Sequence, residues 1–320
     1  MYSGAYSMFQ LVPPSFRLFA FTALACGLQA LPFPGIILMV LGAPFWSIVT
    51  INAGFLLLGL EARKGIVSRF WLIAPLVWFG GYGLFAWRSH HEVNEIAAKV
   101  AEYNSGKKVA FDPGRNSLVF DGAEGIVQNY DLWIAYRNRE KIGGKGYFGY
   151  FVADPSTCVR LRQNERIWGY YISKYDWKDY SRTLNSCVIQ AEVAPDRAQV
   201  IVSAHGSNSY VGKFIEYTIT DLRVDGPLSG ADLQVGSATP YSWFPLPQIG
   251  CFLNEGAGKW QCGAEFMKGN TETIGPYTSE KVVAAALDLT PSSVKSRLAS
   301  IAAGNHDSYL ENLRKAIGAP

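Results

Sequence analysis

The sequence predicts an α+β protein: three N-terminal transmembrane helices, then a β-rich extracytoplasmic domain that ends in short helices. Three observations predict it. Residues 18–60 carry no charged side chain at all. From about residue 107 the apolar residues recur every second position in short runs parted by Gly, Pro and Asn, the pattern of strands and turns. After Thr278 the helical period returns.

Each span follows from length. The 43 residues from Leu18 to Leu60 would make a helix roughly 64 Å long, against a hydrocarbon core of about 30 Å, so the segment must fold back. The run Leu31-Pro-Phe-Pro-Gly35 is the natural turn, because two prolines interrupt helical hydrogen bonding. The anchor is therefore residues 1–88, with spans near 17–32, 35–60 and 70–87. The second span is long enough to tilt or to bend at Pro44. Trp71 and Trp87 sit at the ends of the third, where aromatic rings favour the headgroup layer.

Charge sets the orientation. Residues 1–88 hold Arg17, Arg63, Lys64, Arg69 and Arg88 against one acid, Glu61; the remaining residues sum to −1. Basic residues stay on the cytoplasmic side during insertion, so the Arg63–Arg69 turn lies inside. The N-terminus then falls inside as well, and the C-terminal body is exported. This describes a multi-pass protein of a bacterial inner membrane with a periplasmic domain. A cleaved leader fits poorly, since more apolar chain follows the first span. The run Thr22-Ala-Leu-Ala-Cys26 places Ala23 where a lipoprotein signal wants an aliphatic residue. Gln29, Thr50 and Asn52 are the most polar groups in the spans, which reads as chemically inert. Small residues at helical spacing (Ala20, Ala23, Gly27 and Ala30; Ala43, Ser47, Thr50 and Gly54) suit close packing within the bundle or with another subunit.

The exported body comprises a β-rich domain, 89–277, and C-terminal helices packed on it, 278–320. Ser89 with Glu92 reads as a capping box that opens a helix with Val93, Ile96 and Val100 on its apolar face. Residues 107–120 read as a hairpin around Asp112-Pro-Gly114. Further strands are expected at 126–136, 147–152, 157–161, 167–173, 186–193, 198–204, 213–222, 249–253 and 259–265, a count that suits a sandwich or barrel-like body. Helices are expected near 279–288, 291–303 and 307–317.

Four cysteines lie outside the spans, Cys158, Cys187, Cys251 and Cys262, an even number in an oxidising space. Cys251 pairs best with Cys262 across a Gly-rich turn, leaving Cys158 for Cys187. No Cys-x-x-Cys spacing supports zinc, and His91 with Glu95 has no third ligand, so no metal and no cofactor is expected. Gly144-Lys-Gly-Tyr-Phe-Gly149 matches a dinucleotide motif but runs into a strand rather than a helix. His205 lacks a nucleophile elbow, and Ser292-Ser-Val-Lys295 lacks the companion motifs of the penicillin-binding enzymes. No catalytic motif emerges.

Residues 282–301, VVAAALDLTPSSVKSRLASI, resemble the helix-turn-helix of region-four sigma factors. Ala286 and Val294 stand near its packing positions, "VKSRL" stands where a recognition helix would be, and Asp288 replaces the turn glycine. The resemblance implies a DNA-binding regulator. Residues 279–320 carry five bases against four acids, too little for phosphate neutralisation, so a packing unit and no nucleic acid are expected.

Aromatic residues crowd residues 147–180. Trp168, Tyr170, Tyr171, Tyr175, Trp177 and Tyr180 interleave with charges and offer faces for a protein partner or a glycan. The expected function is that of a membrane-anchored extracytoplasmic binding or structural protein, an accessory or assembly subunit of an envelope complex. Its expected partners are the lipid bilayer and a protein partner or a second copy. Binding or processing of cell-wall glycan is the alternative.

Overall fold

The computed structural model describes residues 12–138, 146–153, 187–254, 259–270, 272–274 and 278–292. The chain forms two compact units. One comprises Met1–Glu95, Val211–Tyr217 and Ala238–Glu272; the other comprises Ile96–Tyr210, Thr218–Ser237 and Thr273–Pro320.

The first unit is mainly helical, with α1 (Pro14–Gln29), α2 (Pro32–Val40), α3 (Ala43–Arg63) and most of α4 (Arg69–Asn104), and it also holds a β-hairpin. Residues 45–63 of α3 and the whole of α4 are long and apolar enough to cross a membrane. The pair α1 and α2, bent by 117°, makes a third span if counted as one. The breaks differ from the single turn expected at 31–35. Pro32 opens a helix instead of ending one, because proline at the first helical position lacks only an N–H that has no partner there anyway. The second break falls at Gly42, which adopts φ 72°. Pro44 consequently stands in the first turn of α3 and does not bend its middle.

Helices α1 and α3 lie side by side. Phe19 covers Gly54, where a Cβ would sit 2.7 Å from its ring, and Thr22 Oγ1 donates to Thr50 Oγ1 (2.6 Å). Glu61 in the last turn of α3 is buried and accepts from the backbone N–H (3.0 Å) and the hydroxyl of Ser15. A carboxylate there matches the positive end of α1 and satisfies one of its orphan donors. The N-terminus of α1 therefore adjoins the C-terminus of α3, and the two helices run antiparallel.

Helix α4 continues unbroken past Ser89, so the expected capping box does not form. It contains a π-helical stretch, Leu76–Gly81, before its long regular part, Tyr82–Asn104. Ser89 Oγ instead donates to Ala86 O (2.7 Å) and accepts from the N–H of Tyr241 (3.2 Å). Glu92 accepts from the N–H groups of Lys213 (2.7 Å) and Phe214 (2.8 Å).

The second unit is built on one mixed sheet, not a sandwich or barrel. In chain order the described strands are β1 (Asn116–Val119), β2 (Ile134–Asn138), β3 (Tyr147–Ala153), β4 (Cys187–Glu192), β5 (Ala198–Val211), β6 (Glu216–Asp225), β7 (Gly230–Ala238), β8 (Pro247–Asn254), β9 (Lys259–Phe266) and β10 (Glu272–Ile274). Strands β8 and β9 form a separate antiparallel hairpin that belongs to the first unit. The others make the sheet, in the order β10-β7-β6-β5-β1-β2-β3-β4. Strand β1 is parallel to both neighbours, β2 and β5, whereas β2–β3 and β3–β4 are antiparallel.

Two expected strand segments take another form. Residues 107–111 are not a strand: Val109 N–H goes to Ala286 O and Ala110 N–H to the Ser229 hydroxyl, so no hairpin partner is left for β1. The Asp112-Pro-Gly turn does form, with Arg115 and Asn116 N–H both on Asp112 O. The start of 126–136 is helix α5 (Ala123–Asn129), which supplies the crossover that parallel strands require. Ile126 and Val127 of α5 and Val282, Val283 and Ala286 of α6 (Ser279–Ala286) are buried against Leu118, Val200 and Val224 of the sheet. Beyond α6, Leu289 N–H bonds Ala284 O and Asp288 adopts φ 56°, a Schellman ending with aspartate at the left-handed position. Lys108 holds that aspartate (2.8 Å) and keeps its carboxyl below the usual carboxylate range. The expected strands at 157–161 and 167–173 lie outside the described residues. So do the expected helices at 291–303 and 307–317, apart from Pro291 and Ser292.

Candidate functional site

Two strand edges dominate the polar chemistry of the described residues, one in each unit. The first belongs to β8. Its register with β9 pairs Ile249 with Ala264 and Cys251 with Cys262, and these two cysteines form a disulfide (S–S 2.08 Å). The groups of β8 turned away from β9 meet the helices. Ser47 Oγ donates to Pro247 O (2.9 Å) and accepts from Ile249 N–H (3.0 Å), and Gln29 Oε1 accepts from Cys251 N–H (3.3 Å). Ser47 and Gln29 are almost wholly buried.

Just before β8, Asn52 closes the same seam. Its amide donates to Pro245 O (2.8 Å) and its carbonyl accepts from Trp78 Nε1 (3.0 Å), beside the π turn of α4. Trp260 of β9 donates to Gln29 O (3.1 Å) and lies so close over Gly35 that any side chain there would strike its ring. The polar residues that looked inert in the sequence thus hold a β-hairpin. Buried backbone groups without partners cost about 1–3 kcal/mol each, which is why the helices carry polar atoms at these positions.

The second edge belongs to β5. Strand β1 covers it only from Ala198 to Ile201, yet β5 runs on to Val211. Residues 204–211 are all exposed, on both faces. Gly212 N–H bonds Ile215 O, and the Ser209–Thr218 and Ser207–Thr220 hydroxyls meet at 3.3 Å. Those three pairs fix an antiparallel register with β6. In such a ladder hydrogen-bonded pairs alternate with non-bonded ones, so in this stretch Asn208 and Tyr210 bond β6. The N–H and C=O groups of Ser207, Ser209 and Val211 then point to the open side. No proline and no charged residue interrupts residues 198–212, so the usual devices that blunt an edge are missing.

A third feature is an aromatic groove of about 690 Å³ in the helical unit, walled by Phe55, Trp71, Trp78, Phe85, Tyr241 and Phe266. Tyr82 borders it, and its buried hydroxyl has no hydrogen-bond partner among the described residues.

The sequence-predicted residues fare unevenly. Trp168, Tyr170, Tyr171, Tyr175, Trp177, Tyr180 and Cys158 lie outside the described residues. Cys187 begins β4. His91 and Glu95 form an exposed pair (3.3 Å), and His205 is exposed on β5. Among the described residues no cluster of three or more His, Cys, Asp or Glu could hold a metal. Sequence reasoning missed Gln29 and Ser47 as structural ligands of the hairpin. Their one signal was polarity inside an uncharged run. No family model, curated protein or solved structure matches the chain.

Proposed function

We propose that this is a membrane-anchored extracytoplasmic binding or structural protein, an accessory or assembly subunit of an envelope complex. The observation that carries the reading is the uncharged edge of β5, which beyond Ile201 has no partner on its open side among the described residues and offers backbone groups of the kind that recruits another strand. The topology has its own support. The Arg63, Lys64 and Arg69 turn separates α3 from α4, and a cationic turn is retained in the cytoplasm. One crossing by α4 then exports the rest of the chain, whether or not α1 and α2 make a third span. The antiparallel packing of α1 on α3, with Ser15 on Glu61, supports an N-terminus on the same side as that turn. The periplasm of a bacterial inner membrane is the compartment that suits the Cys251–Cys262 disulfide.

Extraction in a mild detergent tests the function. The chain is expected in an assembly larger than its own 35.2 kDa. A monomer at native abundance contradicts an assembly role.

A further inference from the structure

We infer that the β8–β9 hairpin is a re-entrant element whose outer face lines a water-filled vestibule, open on the exported side and ending at Glu265 in mid-membrane, where it admits cations. The inference rests on the membrane topology proposed above. Depth is the first argument. Asn52 stands about 16 Å along α3 from Arg63 and Trp78 about 14 Å along α4 from Arg69, near the middle of a core about 30 Å thick. The Asn52 amide donates to Pro245 O (2.8 Å), and the Phe266 ring lies 5.7 Å from that of Trp78. The base of the hairpin, with Glu265 next to Phe266, is therefore at mid-depth. Its far part is at the outer end of α1, where Trp260 donates to Gln29 O (3.1 Å). From Glu265 to Gln261 the strand covers about 13 Å, the outer half of the core.

Polarity is the second argument. Trp260 and Phe266 lie on Gly35 and Trp78, so that face of the hairpin meets the helices. Side chains alternate along a strand, so Gln261, Gly263 and Glu265 take the opposite face, with Gln248 and Gly250, the β8 partners of Glu265 and Gly263. Residues 261–265 are all exposed, and a Cβ on Gly263 would meet nothing within 4 Å. Glu265 has no hydrogen bond or ion pair among the described residues, and Lys268, three residues on, is paired with Glu216 (3.2 Å). The edge is open as well. Ile249 and Cys251 bond the helices, so the backbone groups of Ala264 and Cys262 opposite them turn away from β8, and β8–β9 has only two strands. Lipid cannot cover such a surface, because non-helical backbone at membrane depth must be buried in protein or must line water. A second copy burying Glu265 would need a cation at that depth, and residues 18–60 and 70–87 hold none. Water remains, and a lone carboxylate at the end of a narrow aqueous recess draws cations.

Thiol labelling of the full-length chain in intact spheroplasts tests this, with two membrane-impermeant thiosulfonates, one bearing trimethylammonium and one sulfonate. Leu56→Cys is the lipid-facing control, since Phe45, Val49, Leu56 and Leu60 form an exposed apolar stripe on α3. Gln248→Cys is expected to react at least tenfold faster than Leu56→Cys, and to prefer the cationic reagent at least fivefold after correction for intrinsic reactivity. Adding Glu265→Gln is expected to remove the preference, and adding Gly263→Trp to slow both reagents at least tenfold. Glu265→Cys, at an exposed position, is expected to react as well and guards against misfolding of the Gln248 variant. Reaction at both positions no faster than at Leu56→Cys overturns the inference, as do equal rates for the two reagents or no effect of Gly263→Trp. The topology has its own controls, with Lys213→Cys expected to react in intact spheroplasts and Arg63→Cys only after lysis. The reverse pattern, or Leu56→Cys reacting as fast as Lys213→Cys, overturns the topology and the inference together.

Discussion

The open sides of β8 and β5 are the same chemical object, a row of backbone donors and acceptors along one strand, yet the chain treats them in opposite ways. On β8 the row is buried, and Ser47 and Gln29 answer the groups of Pro247, Ile249 and Cys251 one by one. On β5 the row is exposed over residues 207–211, and no charge or proline in the strand blocks an incoming strand. Where water is excluded the protein must supply each partner itself, because an unmet backbone group costs more than a made one gains. Where water is present the row is free to wait. The difference teaches that Ser47, Gln29 and Asn52 serve the fold of their own unit, a duty that the exposed row on β5 does not have.

The sharpest way to break this comparison is at Ser47. Ser47→Val strips partners from both Pro247 and Ile249, and a stability loss of about 2–4 kcal/mol is expected in detergent denaturation. Removing the Cys251–Cys262 cross-link with paired serines leaves the edge intact but frees its loop, for a loss of about 2–3 kcal/mol by the same assay. The smallest effect sharpens the rule from the other side. The Tyr82 hydroxyl is buried without a partner among the described residues, so Tyr82→Phe is expected to leave thermal stability unchanged or to raise it by about 1 kcal/mol. A clear loss there would mean that the hydroxyl is satisfied in the membrane.

Local signals in the sequence carried the helices, and non-local ones were hidden. The uncharged run, the cationic turn and the Gly-rich loop between Cys251 and Cys262 are all short-range features, and helices α1, α3 and α4 and strands β8 and β9 follow from them. Ser47 and Ile249 are about 200 residues apart, so no period or motif joins them. Residues 107–120 had the turn of a hairpin, but Val109 found Ala286 instead, a tertiary choice that overrode the local pattern. The continuation of β5 was hidden for a different reason. Its residues 204–210, AHGSNSY, show no alternation because both faces are exposed, and alternation is a record of burial.

Residue-resolved hydrogen exchange, at a dilution where the chain is monomeric, tests the contrast between the two edges most directly. The amides of Ile249 and Cys251 are expected to exchange as slowly as that of Gly250, because the helices bond them. On β5, Ser207 and Ser209 are expected to exchange at least tenfold faster than Asn208 and Tyr210. Rapid exchange at Ile249, or the absence of any odd–even alternation along β5, would contradict the account.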